Sequence, residues 1–169
     1  QRQMCKETVT GADTGNPVIN ASTTDEPSSE VKNSDVSIPK DLVDSISSAA
    51  PDSVTINTDV AEVELDKTAF EKISNTVAND GVSLKIDLLE ASENETVNNM
   101  IMSGAKVIDV KLMSGTTELL PESSAGSNGN LTLKVPYETE TAVTNPSKVS
   151  VVYINDAGEK SGVASAYDT

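Results

Sequence analysis

The segment Lys106-Val-Ile-Asp-Val-Lys-Leu112 is the first of four that decide the fold class. The others are Asn130-Leu-Thr-Leu-Lys-Val-Pro-Tyr137, Lys148-Val-Ser-Val-Val-Tyr-Ile154 and Gly162-Val-Ala-Ser-Ala-Tyr167. Each segment alternates apolar with polar residues or runs in β-branched residues, and Gly, Pro, Asn or Asp stands at its boundaries. This pattern is typical of half-buried β-strands separated by turns. The C-terminal part of the chain is therefore predicted to be a series of antiparallel strands.

The region before this series contains a predicted hairpin. Ser53-Val-Thr-Ile-Asn57 and Ala61-Glu-Val-Glu-Leu65 alternate strictly, and Thr58-Asp-Val60 joins them. Two alternating strands with so short a link are typical of an antiparallel hairpin. Val82-Ser-Leu-Lys-Ile-Asp-Leu88 has the same alternation and is predicted to be a further strand.

Two segments of similar pattern each predict a strand that leads into a short helix. Residues 36–46 and 63–73 begin with an extended Val-x-Ile/Leu and continue with apolar residues at helical spacing. Pro39 suits the turn into the first helix because its fixed φ is compatible with a helix start. Asp66 is predicted to cap the second helix. Together the patterns predict a mainly β (α+β) fold, an antiparallel β-sandwich-like module with two short helices.

The N-terminal residues 1–35 differ from the rest in composition. Polar and turn-forming residues dominate, as in Thr23-Thr-Asp-Glu-Pro-Ser-Ser-Glu30, and the apolar islands are short. A segment of this kind cannot bury a core of its own. We predict an extended N-terminal arm or linker over residues 1–35 and a β-rich module over residues 36–169.

The amino-acid composition excludes several classes of site. The sequence contains no His and no Trp, and Cys5 is its single cysteine. Catalysis by an imidazole base, including Ser-His-Asp and Cys-His systems, is therefore excluded for this chain. An internal disulfide is excluded as well, and a zinc site would have only carboxylates to use. No catalytic residue, cofactor-binding residue or metal ligand is predicted, and we expect the chain not to be an enzyme.

The formal net charge of −15 indicates which partners the chain avoids. Phosphate binding requires clustered Lys and Arg, so nucleic acid is not expected as a partner. There is no run of about 18 apolar residues, so no membrane insertion is expected. Scattered carboxylates make calcium an alternative partner, although the loop spacing Asp-x-Asp/Asn-x-Asp/Asn-Gly occurs nowhere in the sequence.

Carboxylates are the catalytic groups in best supply. Glu62, Glu64 and Asp66 alternate along one predicted strand, with Asp52 and Asp59 near them in the sequence. Glycosidases use carboxylate pairs. The alternation, however, places the glutamates on the solvent face of an amphipathic strand. Exposed carboxylates have ordinary pKa values and are poor general acids, so catalysis is not predicted here.

Four lysines are candidates for intramolecular isopeptide bonds with asparagine. They are Lys85, Lys106, Lys111 and Lys134. The reaction also needs a buried acid beside the lysine and the asparagine. Because these lysines alternate with apolar residues, we predict that their side chains point to solvent.

Several short motifs follow one another in a fixed order from residue 36 to residue 168. They are Val36-Ser-Ile-Pro-Lys40, Val54-Thr-Ile-Asn-Thr58, Val63-Glu-Leu-Asp66, Ala105-Lys-Val-Ile-Asp-Val-Lys-Leu112, Leu131-Thr-Leu-Lys-Val-Pro-Tyr137, Lys148-Val-Ser-Val-Val-Tyr-Ile-Asn-Asp-Ala-Gly158 and Ala164-Ser-Ala-Tyr-Asp168. In this order the sequence resembles a β-rich module repeated in Gram-positive cell-surface, S-layer-associated and cellulosome-linked proteins. The resemblance implies an extracellular, non-enzymatic building block, and it supplies no catalytic residue.

The resemblance also bears on the end of the sheet. Modules of that kind usually continue with one more strand near a His-Phe-Ser triplet, which this sequence lacks. The resemblance therefore implies that the module of residues 36–169 lacks its final strand, or that another segment supplies it.

We expect the chain to be a non-enzymatic structural or interaction module of a bacterial extracellular surface protein. Its partners would be other domains of the same surface protein or a neighbouring protein. The alternative is a ligand-binding module for carbohydrate or protein, with recognition by loops around residues 94–104 or 118–130. In a variant of that alternative, the arm of residues 1–35 is donated as a strand to the incomplete sheet of a neighbour.

Overall fold

The chain is described by a computed structural model. The described residues are 8–10, 15–22, 27, 32–89, 95–101, 105–119, 129–137, 145, 149–155 and 157–167. The chain divides into two compact units. The first unit comprises Gln1–Leu88 and Ile108–Pro136, and the second comprises Leu89–Val107 and Tyr137–Thr169.

The described residues form eleven strands and three helices. The strands are β1 (Thr8–Thr10), β2 (Val18–Asn20), β3 (Asn33–Ile38), β4 (Ser53–Asn57), β5 (Glu62–Asp66), β6 (Val82–Leu89), β7 (Val107–Ser114), β8 (Thr117–Glu118), β9 (Leu131–Lys134), β10 (Val151–Ile154) and β11 (Lys160–Val163). The helices are α1 (Lys40–Ser48), α2 (Lys67–Thr76) and α3 (Glu95–Asn98). The predicted class, mainly β with two short helices, is confirmed, and α3 adds a single turn.

The strands form two larger sheets and one separate pair. Strand order is β1-β2-β4-β5-β9 in the first sheet and β3-β6-β7-β8 in the second, and β10 pairs with β11. β4 and β5, β5 and β9, and β3 and β6 are antiparallel pairs. β2 and β4, in contrast, are parallel. The fold is therefore sandwich-like and largely antiparallel, and the sequence pattern did not indicate the parallel pairing of β2 with β4.

One hydrophobic cluster in the first unit joins the inward faces of both larger sheets to one face of each long helix. Successive residues of β4 and β5 alternate between buried and partly buried positions, as predicted. Val43 and Ile46 of α1 and Phe70 and Ile73 of α2 are buried in the same cluster. Since burying one such side chain stabilises a fold by about 1.5–3 kcal/mol, this cluster is the main source of stability.

The predicted hairpin of β4 and β5 is confirmed, and a buried threonine closes its turn. The Thr58 hydroxyl donates a hydrogen bond to the Ala61 carbonyl oxygen at 2.8 Å. It also accepts hydrogen bonds from the N–H groups of Val60 at 3.2 Å and of Ala61 at 3.0 Å. The side chain thus satisfies the backbone groups of a turn that lies inside the fold.

The N-terminal segment contributes to the core sheet. β2 lies between β1 and β4, and Ile19 is only 1% exposed. Ala21 is buried as well. Of the predicted arm of residues 1–35, the described residues Val18–Asn20 are extended and belong to the first unit as strand β2. The physical reason is that its few apolar residues alternate, so that one inward face suffices to hold it.

The second unit contains the antiparallel pair of β10 and β11. Val151 lies opposite Val163, and Ile154 lies opposite Lys160. The strand predicted over residues 162–167 is displaced: β11 is Lys160–Val163, and residues 164–167 have no regular structure. β10 begins at Val151, so no residue of that strand lies opposite residues 164–167 to pair with them.

Candidate interaction surface

Three carboxylates in and near β5 each make a separate structural contact. Glu62 accepts a hydrogen bond from Lys134 across the β5–β9 pair, and this bond raises the pKa of the lysine. Asp59 accepts a hydrogen bond from the Ser22 hydroxyl at 2.5 Å. Asp66 caps a helix. Each of these three carboxylates thus has a partner that is not another carboxylate.

Asp66 binds two elements at once. One carboxylate oxygen accepts the Ala69 N–H at 2.8 Å, which is the predicted cap of α2. The other accepts both the backbone N–H and the side-chain amide of Asn130, each at 2.8 Å, just before β9. The Ala69 bond is the main cause of the lowered pKa of Asp66, and the Asn130 bonds lower it further against the opposing effect of desolvation. The residue therefore fastens the β9 end of the sheet to the start of α2.

The lowered pKa of Asp66 predicts a specific loss of stability in acid. A folded-state pKa below the unfolded value means that the contribution of Asp66 is complete above the unfolded value, about 3.9. It is lost as the pH falls through the lower folded value. In urea unfolding measured from pH 7 to pH 2, the difference in unfolding free energy between the native chain and Asp66→Asn should shrink in this acidic window.

The control for this prediction is Glu71→Gln, an exposed position on α2. It removes one carboxylate without touching the cap or Asn130. If both substitutions gave the same pH profile, the bonds of Asp66 would not be the cause of the acid sensitivity. Asp66→Ala should cost about 1 kcal/mol at neutral pH through loss of the cap.

The candidate lysines for isopeptide bonds make other contacts. Lys85 pairs with Asp87 at 3.0 Å, and Lys111 pairs with Asp109 at 2.8 Å. Lys106 is exposed. In both ion pairs the lysine side chain is more than half exposed, so each pair contributes little to stability. The prediction that these side chains point to solvent is confirmed for the lysines named here.

The interior of the first unit holds one small apolar void of about 10 Å³. It is lined by aliphatic residues and one phenylalanine: Ile19, Ile38, Val43, Ile46, Val54, Ile56, Leu65, Phe70, Ile73, Val82 and Leu112. A void of this size has room for about one water molecule, and its walls offer no polar partner. This cavity is a packing defect of a dry core and is too small for a ligand.

The described residues contain neither a metal-binding cluster nor a membrane-spanning helix. No group of three or more acidic or cysteine side chains there is arranged to hold a metal ion. None of the described helices has both the length and the apolar character needed to cross a membrane. Of the loops predicted to bind ligands, residues 95–101 are described within the range 94–104, and residues 118, 119, 129 and 130 within the range 118–130. Cys5 lies outside the described residues.

Among the described residues, the β10–β11 ribbon exposes large apolar side chains. The ribbon is defined as residues 151–154 and 160–163. Four of its five large apolar side chains, Val151, Val152, Tyr153 and Val163, are between 43% and 49% exposed, and Ile154 is half-buried. Val151, Tyr153 and Val163 share one face, and Val152 lies on the other, because side chains alternate along a strand. Both faces of the ribbon thus present apolar groups to solvent.

The exposure of the ribbon is accompanied by a well-defined turn. The Gly158 N–H donates to the Asn155 carbonyl oxygen at 2.8 Å, and the Asn155 N–H donates to the Glu159 carbonyl oxygen at 3.1 Å. The Asn155 side chain adds two bonds to Glu159, at 2.7 and 2.8 Å. Gly158 has a φ of +81°, a conformation that glycine adopts without the strain of a Cβ. The turn fixes which residues of β10 and β11 lie opposite each other. In the larger sheets, burial of one face fixes this register.

The chain matches no known family, characterised protein or solved structure in the three comparisons made. Function must therefore be argued from the residues and the geometry described above.

The sequence contained a signal for the ribbon that the strand prediction did not use. The run Val151-Val-Tyr-Ile154 is apolar at every position instead of at every second one. Such a run is typical of a strand that is covered on both faces. In the structure Val151, Val152 and Tyr153 are instead 43–49% exposed, whereas Ile154 is half-buried.

Proposed function

We propose that the chain is a non-enzymatic structural and interaction module of a bacterial extracellular surface protein. In this proposal the β10–β11 ribbon is the docking surface for another domain of that protein or for a neighbouring protein. The observation that carries the proposal is the exposure of Val151, Val152, Tyr153 and Val163 on a ribbon of defined register.

A two-stranded ribbon is a suitable docking element for physical reasons. Two isolated strands are marginally stable in water, so a third strand or a packed face adds stability to them. An open strand edge offers main-chain hydrogen bonds to a partner, and alternate side chains give the contact its specificity. The partner favoured by this surface is an extended or sheet-forming segment with apolar side chains.

The non-enzymatic part of the proposal is supported by the roles of the carboxylates. Glu62 is committed to Lys134, and Asp66 is committed to a helix cap and to Asn130. A general acid requires a carboxyl whose pKa is raised toward neutrality. The pKa of Asp66 is shifted in the opposite direction.

The location is proposed from the sequence. The order of motifs from Val36 to Asp168 resembles modules of Gram-positive surface, S-layer-associated and cellulosome-linked proteins. The net charge of −15 is compatible with this role, because a strongly charged surface keeps a protein soluble outside its intended contacts.

The alternative function, a binding module that assembles by strand donation, is favoured by one separate observation. The N-terminal strand β2 joins the five-stranded sheet in parallel with β4, whereas the neighbouring pairs are antiparallel. This strand is considered in the next subsection.

The proposed function is tested by hydrogen–deuterium exchange followed by mass spectrometry. Amides of β10 and β11 should exchange much faster than those of β4 and β5, because the ribbon is open to water. Calcium chloride or soluble oligosaccharides should leave the exchange and the melting temperature unchanged. A specific ligand at a hundred times its Kd would stabilise the fold by about 2.7 kcal/mol, so a ligand-dependent shift would favour the ligand-binding alternative. Slow exchange of the ribbon in the isolated chain would contradict the docking surface.

A matched pair of variants separates docking from folding. Val152→Thr on the ribbon should leave the unfolding free energy within about 0.5 kcal/mol of the native value. Val54→Thr places a hydroxyl in the core and should lower it by about 1–3 kcal/mol. Equal losses in both variants would mean that Val152 is covered in solution.

A further inference from the structure

We propose that residues 15–22 form a donor strand, one that can leave its own chain and pair with β4 of a second copy. This inference rests on the interaction role proposed above, but it concerns a strand of the first unit and not the ribbon. The position beside β4, here called the slot, is thus filled by residues 15–22. They come either from the same chain or from another copy of it.

The donor strand has the side-chain pattern of a peptide that adds to a sheet. Pro17, Ile19 and Ala21 are buried, whereas Asn20 and Ser22 are half-buried. Every second residue therefore fills an apolar position of the core, and Asn20 and Ser22 between them make polar contacts. This alternation is how added strands obtain both affinity and specificity.

On the side that faces β4, the backbone bonds of the donor strand end on one short stretch of chain, whereas its other edge pairs with β1. The carbonyl oxygens of Gly15 and Pro17 accept from the N–H groups of Asp52 and Thr55 at 3.1 and 3.0 Å. The Ala21 N–H donates to the Asn57 carbonyl oxygen at 2.9 Å. The bonds follow the parallel register, in which Ile19 lies opposite Ile56.

Two side-chain bonds add specificity to this register. The Asn57 amide donates to the Asn20 side-chain oxygen at 2.8 Å. The Ser22 hydroxyl donates to Asp59 at 2.5 Å. The donor strand and its slot thus recognise each other through groups that lie within residues 15–22 and 52–59. A second copy carries the same groups and can reproduce all of these contacts.

The sequence between β2 and β3 can serve as a tether. Between Ser22 and Lys32, Val31 is the single large apolar residue, and Thr23-Thr-Asp-Glu-Pro-Ser-Ser-Glu30 contains none. The ten residue steps from Ser22 to Lys32 can span at most about 33–36 Å when fully extended. That reach is comparable to the width of a small domain, so the donor strand can meet the slot of an adjacent copy.

Concentration decides which copy supplies the strand. A short connection of this length holds its own strand at an effective concentration on the order of millimolar. A dilute chain therefore keeps its own strand, and exchange becomes competitive when copies are crowded, as in a surface array. The charge of −15 on each copy also opposes close approach, so salt should favour the exchange.

The test uses engineered thiols in the full chain, with Cys5→Ser as background so that only the new thiols react. One chain carries Asn20→Cys and the other carries Asn57→Cys, which are opposite each other in the β2–β4 register. The two chains are mixed at about 1 mM, the scale of the effective concentration, and then diluted and oxidised. We expect a disulfide-linked pair of chains whose yield rises with protein and salt concentration.

Two controls keep the result decisive. Asn20→Cys mixed with Ser45→Cys, an exposed position on α1, measures random collision. A single chain with both Asn20→Cys and Asn57→Cys should form an internal disulfide in dilute solution and so establish the register. Exchange is overturned if the mixed chains link no more than the collision control, and equally if the double variant forms no internal disulfide. Neither outcome alters the exchange measurement on the ribbon, so the two proposals fail separately.

Discussion

Phe70→Ala is expected to lower the free energy of unfolding by about 3–5 kcal/mol, measured by urea denaturation at neutral pH. Phe70 is the single phenylalanine of the sequence, and it is buried on α2 within the core of the first unit. Its removal would enlarge a void that it already lines beside Ile46 and Ile73. Domains have a free energy of unfolding of about 5–15 kcal/mol in total, so this single change removes a large part of it.

Glu71→Ala is the matched control, because Glu71 is the next residue on α2 and is exposed. Its effect should stay within about 0.5 kcal/mol. A loss of less than about 1 kcal/mol for Phe70→Ala would contradict the burial of Phe70 in the core, since a buried phenylalanine costs more than that to remove.

Gly81→Ala is expected to lower the free energy of unfolding by about 3 kcal/mol, which combines two penalties. Gly81 has a φ of +74°, which strains any residue with a Cβ. A Cβ at this position would also collide with the Ile38 carbonyl oxygen and lie 3.0 Å from the Lys40 nitrogen. These are backbone atoms at the link between β3 and α1, so they cannot move aside like the end of a flexible side chain.

Gly15→Ala separates the two penalties. Gly15 has a φ of +85°, but a Cβ there would meet no atom within 4 Å. This variant should show the strain of φ alone, about 1–2 kcal/mol. If thermal and urea unfolding gave the two glycine variants equal losses, the close approach of Gly81 to Ile38 would be absent in solution.

The parts of the fold that alternate in sequence were predictable from the sequence. β4 and β5 appear where strict alternation placed them, and α2 begins after Asp66, the predicted cap. These elements are decided by local rules: a period of two residues for a strand and a side-chain acceptor for a helix start.

The parts that depend on distant partners were not predictable in the same way. The short island around Ile19 has too little sequence to indicate a strand, and it becomes one because β4 offers a free edge. The end of β11 at Val163 depends on where β10 begins. The bond of Asp66 to Asn130 joins residues 64 positions apart, a relation that neither segment reveals alone.

The candidate site was the least predictable feature. The sequence did not indicate that the carboxylates make structural contacts with Lys134, Ser22 and Asn130. The ribbon is defined by the exposure of its apolar side chains, and exposure depends on what the rest of the chain does not cover. The unbroken apolar run at residues 151–154 was a local hint, but the same run would suit a fully buried strand.

The first unit is discontinuous in sequence, and this has a consequence for how the protein is made. β5 ends at Asp66, but its neighbour β9 begins at Leu131, so the five-stranded sheet gains its last strand only after the ribosome has released that residue. Bringing the two strands together closes a loop of 64 residues, at an entropic cost of roughly 4 kcal/mol. During translation the edge of β5 therefore stays available for wrong pairing, and a chaperone that binds nascent strands would find its substrate there.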